Sequence, residues 1–167
     1  MASPEVHLRP ITDADQAFLR TLYGTTRADE MAMLPWDQVV IEAFLDQQFQ
    51  AQHAHYQAHF ADAGFSVIET AGEAIGRAYL LWTDSHLQII DTALMPAWRG
   101  RGIGTGLIRQ WLAQADRHGL SVGLHVTLHN PALRLYQRNG FEVVGDNGLY
   151  LEMRRPALAV FHVDRPA

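Results

Sequence analysis

A chain of 167 residues, 48% hydrophobic and 19% charged, has the material for one packed domain and the composition of a globular protein. Its formal net charge of −5 excludes nonspecific nucleic-acid binding and a polybasic membrane contact. With no cysteine, disulfides, thiolate zinc sites and cysteine nucleophiles are excluded too, and a reducing cytoplasm is the expected compartment.

No apolar run approaches the roughly 20 residues of a membrane-spanning helix, and the N-terminus lacks the basic start and apolar core of a signal peptide. No repeat, low-complexity tract or linker divides the chain, so a single domain over 1–167 is expected. In chain order, residues 6–10 alternate as a short strand. A helix follows over 11–23, with Thr12 and Asp15 at capping-box spacing and Phe18, Leu19 and Leu22 on one face. Residues 24–36 break that pattern and read as a loop. Asp37 caps a longer helix, with Ile41, Leu45, Phe49, Gln52 and Tyr56 about 3.6 residues apart. Strands over 65–70 and 74–82 flank a hairpin turn, and a third strand covers 86–95, where Pro96 stops it.

The arginine- and glycine-rich segment 98–106 then opens a helix that reaches about His118, followed by a strand over 120–128. Asn130 and Pro131 make a cap and first-position proline for another helix, which Gly140 closes. Residues 141–145 and 148–155 form a last hairpin. The tail 156–167 reads as an extra edge strand or as a bridge between the subunits of a homodimer. Seven strands and four helices in this order make an α/β (α+β) chain, with an antiparallel first half and a crossover through the glycine-rich helix.

That segment, Arg99-Gly100-Arg101-Gly102-Ile103-Gly104-Thr105-Gly106, fits neither of two common phosphate loops. A dinucleotide fingerprint would need a further glycine at Thr105 or Leu107, and a P-loop would need a lysine followed by Ser or Thr. Bare glycines nonetheless leave consecutive N–H groups open at the positive end of a helix, and Arg99 and Arg101 supply charge to match a diphosphate. A tight strand-to-helix turn alone would need one glycine rather than four.

Arg99-x-x-Gly102-x-Gly104 resembles the R/Q-x-x-G-x-G/A motif of the GCN5-related N-acetyltransferase (GNAT) superfamily. Residues 130–141, NPALRLYQRNGF, resemble its second hallmark, N-x-x-A-x-x-L-Y-x-x-x-G-F, departing only by Leu133 in the alanine slot beside Ala132. The resemblance implies a mixed, mostly antiparallel sheet of about seven strands flanked by four helices, with splayed central strands. It also implies transfer of an acetyl group from acetyl-CoA to an amine, on a small molecule or a protein N-terminus. On that reading the amides of Arg101, Gly102, Ile103, Gly104 and Thr105 hold the coenzyme pyrophosphate, and Arg99 and Gly100 belong to the same coenzyme-binding segment. Ala93, Leu94 and Met95 pair with the pantetheine arm, Asn130 and Ala132 also meet the coenzyme, and Ala93 or Leu94 donates to the thioester oxygen.

Tyr136 then suits the general acid, since a phenol of pKa about 10 stays protonated and can pass its proton to a departing thiolate. A tyrosine filling core is the competing reading. Family members carry a glutamate eleven or thirteen residues before the first motif residue, positions held here by Gln88 and His86; of these only His86 can accept a proton. His86 shares a strand face with Gln88, and Asp91 is expected on the opposite face. Acceptor contacts implied by the resemblance fall on Arg27, Glu30, Trp36 and Tyr56. His55 and His59 have ligand spacing on a helix but no third partner, so no metal site is expected. A non-catalytic acyl-CoA sensor is the alternative function, made conceivable by Gln88.

Overall fold

The computed structural model describes residues 4–158, so the tail beyond Leu158 lies outside the described residues. Seven strands form one mixed sheet in the order β1-β2-β3-β4-β5-β7-β6, with four α-helices flanking it. Two compact units are distinguished. One holds the residues up to Leu81 together with Asp91–Gly104, and the other holds Trp82–Ile90 with the residues from Thr105 on. No described helix is long and apolar enough to cross a membrane.

In the first unit, β1 (His7–Pro10) pairs antiparallel with β2 (Gly64–Thr70), which pairs antiparallel with β3 (Glu73–Trp82). The hairpin between β2 and β3 turns at Ala71 (φ 50°) and Gly72 (φ 78°), as the sequence predicted. The Thr12–Asp15 capping box is present, and the Asp15 carboxylate also accepts two bonds from Arg9, at 2.8 and 2.7 Å. Asp37 accepts from Val40 N–H at 3.0 Å and caps α2 (Gln38–His59).

The loop expected over 24–36 is overturned: α1 runs unbroken over Gln16–Ala32. The Thr25 and Thr26 hydroxyls, which can compete with a helix for its own backbone groups, instead donate to the carbonyls of Leu22 and Tyr23 one turn earlier, both at 2.7 Å. Arg27 is bonded to Tyr23 four residues before it and to Glu30 three after. Tertiary burial completes the case, because Met31 joins Leu19, Tyr23, Leu45 and Phe49 in one apolar cluster.

In the second unit, the first half of β4 (His86–Leu94) pairs in parallel with β5 (Ser121–Thr127), from His86↔Ser121 to Ile89↔Leu124. The pairing stops there although both strands run on. β5 pairs antiparallel with β7 (Tyr150–Arg155), which pairs antiparallel with β6 (Glu142–Asp146). Val122, Leu124 and Val126 are buried while His125 and Thr127 are exposed, the alternation of a sheet with one covered face. Helix α3 (Ile103–Arg117) buries Leu107, Ile108, Trp111, Leu112 and Ala115, an i, i+1, i+4, i+5, i+8 stripe.

Helix α4 (Leu133–Arg138) begins two residues later than the sequence suggested. Asn130 does form a local cap, its Oδ1 accepting from Ala132 N–H at 2.8 Å. That bond closes an Asx turn, so Pro131 sits in the turn rather than at the first helical position. Gly140 (φ 92°) follows the helix as expected.

Candidate functional site

The end of β4 sets the frame for the glycine segment. Met95 N–H donates to Ile75 O at 2.8 Å, and a side chain at Gly76 would collide with the carbonyl of Ala93. Met95 and Ala93 therefore turn their polar groups toward β3, and the alternation of a strand directs the N–H of Leu94 the other way. Of the three residues expected to meet a pantetheine arm, Leu94 alone has its amide on the side facing away from β3. Its carbonyl is already used, accepting from Arg99 Nε at 2.9 Å.

After a short 3-10 turn over Pro96–Trp98, Gly100 and Gly102 adopt φ of 73° and 82°, backbone that only glycine enters cheaply. Ile103, 2% exposed, anchors the first turn of α3. Gly104 and Gly106 differ in kind. Both stand in α3 with no positive φ, and nothing lies within 4 Å of where a Cβ would be. Turn geometry thus accounts for two of the four glycines and leaves two unexplained.

A helix start with open N–H groups and no side chains over them is what an oxyanion or phosphate needs. The arginines contribute less charge than the sequence implied. Arg99 folds back on the Leu94 carbonyl and donates to Thr25 Oγ1 at 3.1 Å, while the Arg101 guanidinium lies over the Trp98 ring, 4.9 Å from its centroid.

In the second unit His86 is held at both ring nitrogens. Nδ1 lies 2.7 Å from Ser121 Oγ and Nε2 lies 3.0 Å from Gln88 Oε1. The Ser121 hydroxyl, which also lies within reach of the Ser85 carbonyl at 3.4 Å, can donate to Nδ1 or accept from it, according to the imidazole tautomer. His86 is thus oriented by a neighbour at each ring nitrogen. Gly123 exists for this packing: a Cβ there would meet Gln88 Oε1 at 2.7 Å and His86 Nε2 at 2.9 Å. His125 is two residues on, on the same sheet face, and is exposed; its cross-strand neighbour is Glu152. From sequence, His125 and His129 on the strand before Asn130 could face either the slot between the splayed strands or solvent, and Glu152 carried no signal at all. Tyr136 is half-buried on α4, its ring edge-on to Phe141 at 5.7 Å.

The four acceptor candidates do not form one cluster. Arg27 donates to Tyr23 Oη at 2.6 Å, pairs with Glu30 at 3.0 Å, and lies 5.8 Å from the Phe44 ring centroid. Trp36 packs edge-on against the same Phe44 at 5.3 Å. Tyr56 is twelve residues further along α2 than Phe44, about 18 Å at 1.5 Å per residue. It meets Tyr79 at 5.8 Å and 90° instead. Beside it lies a group the sequence missed: Arg77, 3% exposed, ion-paired with Asp91 and bonded to Gln52 Oε1 at 3.1 Å. A lone arginine inside the apolar stretch AIGRAYLLW was its signal. Burial pushes the Tyr79 hydroxyl above its ordinary pKa. On α2, the His55 and His59 rings stack on each other at 4.1 Å.

Residues 28–141 match the model of the Acetyltransferase (GNAT) family. No curated protein matches the chain in sequence. Among solved structures, the chain is similar to a PaiA N-acetyltransferase from Thermoplasma acidophilum, in complex with coenzyme A, at 17% identity and a TM-score of 0.65; the match covers 91% of this chain and 99% of that one. It is also similar to the ribosomal-protein-S18-alanine N-acetyltransferase from Escherichia coli, at 16% identity, TM-score 0.62, and 95% and 99% coverage. A third likeness is to a histone acetyltransferase HPA2 and related acetyltransferase from Corynebacterium glutamicum, at 21% identity, TM-score 0.62, and 96% and 99% coverage. At these identities the three likenesses concern the fold.

Proposed function

The chain belongs to the GNAT acetyltransferase family, whose co-substrate is acetyl-CoA, and from that premise we propose that it acetylates a primary amine, on a small molecule or a protein N-terminus, by direct transfer. The observation that carries this reading is the pair Gly104 and Gly106: helix-weakening residues in ordinary helical conformation, with open space in place of a side chain. A ligand in close approach to that backbone accounts for their bareness, and a pyrophosphate on the amides from Arg101 to Thr105 is the group the motif implies.

The chemistry then divides among residues of this chain. Leu94 N–H polarises the thioester carbonyl as the amine nitrogen forms its bond to carbon. As the carbon–sulfur bond breaks, Tyr136 gives its proton to the leaving thiolate and recovers one from solvent. Asn130 and Ala132 meet the pantetheine arm. The proton lost by the amine goes to His125, with His86, which Ser121 and Gln88 hold at both ring nitrogens, as the second candidate. The exposed imidazole across from the Glu152 carboxylate is open to accept it.

Calorimetry with coenzyme A, followed by thiol release from acetyl-CoA over a panel of amines and N-terminal peptides, tests the assignment. Binding with turnover on at least one amine is expected. Binding without release on any of them would favour the sensor reading, and no binding would end both.

A further inference from the structure

Helix α4 carries Tyr136, yet it has six residues and buries none of them fully. Isolated helices shorter than about 12 residues are marginal in water, and tertiary packing normally supplies their stability. Here the ends of the helix do much of that work. In front stands the Asx turn of Asn130. Behind, the Tyr136 carbonyl accepts from Asn139 N–H at 3.0 Å and from Phe141 N–H at 3.1 Å, and the buried Phe141 sets its ring against that of Tyr136. At the C-cap itself, the Asn139 carbonyl accepts from Arg155 Nε at 3.0 Å. A cation at this end also complements the negative pole of a helix.

Arg155 has little freedom of its own. It is the last residue of β7, paired in register with the buried Val122 of β5. Its terminal nitrogens donate to both oxygens of Asp116, on the last turn of α3, at 2.7 and 3.0 Å. The planar fork thus meets the carboxylate on one side and the end of α4 on the other, a geometry that no point charge reproduces. We propose that Arg155 is a positioning residue for acetyl transfer: it fixes the end of α4 against α3 and β7, and so holds the Tyr136 hydroxyl where its proton passes to the leaving thiolate. A general acid acts only within hydrogen-bond reach of the atom it protonates, and a displacement of about 1 Å can cost about 10²-fold in rate. The inference rests on Tyr136 as the general acid, as proposed above.

The experiment compares the full chain with Arg155→Gln, Tyr136→Phe and the double variant, by calorimetry with coenzyme A and by thiol release from acetyl-CoA with the most active amine of the panel above. Arg155→Gln should lower kcat by about 10- to 100-fold while coenzyme A affinity and the amine KM stay within a few-fold of the parent, which also shows that it is folded. On the Tyr136→Phe background the same substitution should lower kcat no further, because the group it positions is gone. A residue that merely holds the fold together would act by the same factor on both backgrounds, and that result would overturn the proposal. Should Arg155→Gln fail to fold, Asp116→Asn, which breaks the fork from the other side, takes its place with the same expectations. A parental kcat in the Arg155 variant beside a lowered one in Tyr136→Phe would end this inference alone. A parental kcat in Tyr136→Phe, or no turnover on any amine, would sink the underlying reading and this inference together.

Discussion

Replacing Gly104 by glutamine separates the two explanations of the glycine segment, because they give opposite signs. Gly104 has no positive φ and has open space around its missing side chain, so folding gains rather than loses from the change. Glutamine exceeds glycine in helix propensity by about 0.5 kcal/mol. For a chain of this size that raises Tm by about 1–2 °C. If the amides of this turn hold a pyrophosphate, the new side chain covers them. Loss of one or two charge-assisted bonds, each about 1.5–3 kcal/mol, weakens coenzyme A binding by roughly 10-fold to 10⁴-fold. Gly104→Ala serves as the size control: the motif admits alanine there, so it should raise Tm and change affinity little. Thermal melts and calorimetry on the three proteins provide both readings. A glutamine variant that melts higher and binds coenzyme A as tightly as the parent would refute the argument, and Gly104 would then be a helix defect without a ligand.

Tyr136→Phe should lower kcat by about 10²- to 10⁴-fold while coenzyme A affinity holds; an intact kcat would remove the general-acid role. His125→Gln should lower kcat by about 10²-fold or more with coenzyme A affinity held, whereas His86→Ala should leave kcat within a few-fold of the parent; the reverse pattern would return the base to His86. The Arg9 guanidinium, through its paired hydrogen bonds, holds the Asp15 carboxyl well below the usual carboxylate range. A carboxyl whose pKa is lower folded than unfolded contributes its full stability above the unfolded value near 4 and loses it as pH falls further. Asp15→Asn should therefore cost about 1–3 kcal/mol in urea unfolding at pH 7 and progressively less toward pH 2; a deficit independent of pH would show that the pair contributes nothing through ionisation.

Strands and caps were legible because short-range chemistry dictates them. Asp37 had one backbone N–H to satisfy and satisfied it, and Ala71-Gly72 could hardly do anything but turn. Residues 24–36 misled because glycine, two threonines and a proline announce a break. Burial of Met31 and hydroxyl bonds back along α1 outweighed them, and no local pattern carries that information. The glycine segment was legible as a motif but not as a charge pattern, since the partners of Arg99, namely Leu94 and Thr25, are distant in sequence or are backbone atoms. The two contacts that hold His86 were hidden for the same reason. Strand alternation gave its face correctly, yet its two partners, Ser121 and Gln88, and the bare Gly123 that admits them come partly from another strand.

Arg99 joins the start of the glycine segment to α1 at Thr25, two residues before the Arg27–Glu30 pair. A strut fixed at both ends transmits displacement in both directions. A coenzyme seated on the segment, as proposed, would bear on that helix through this one side chain, and any coupling to an occupant of the helix would act equally in both directions.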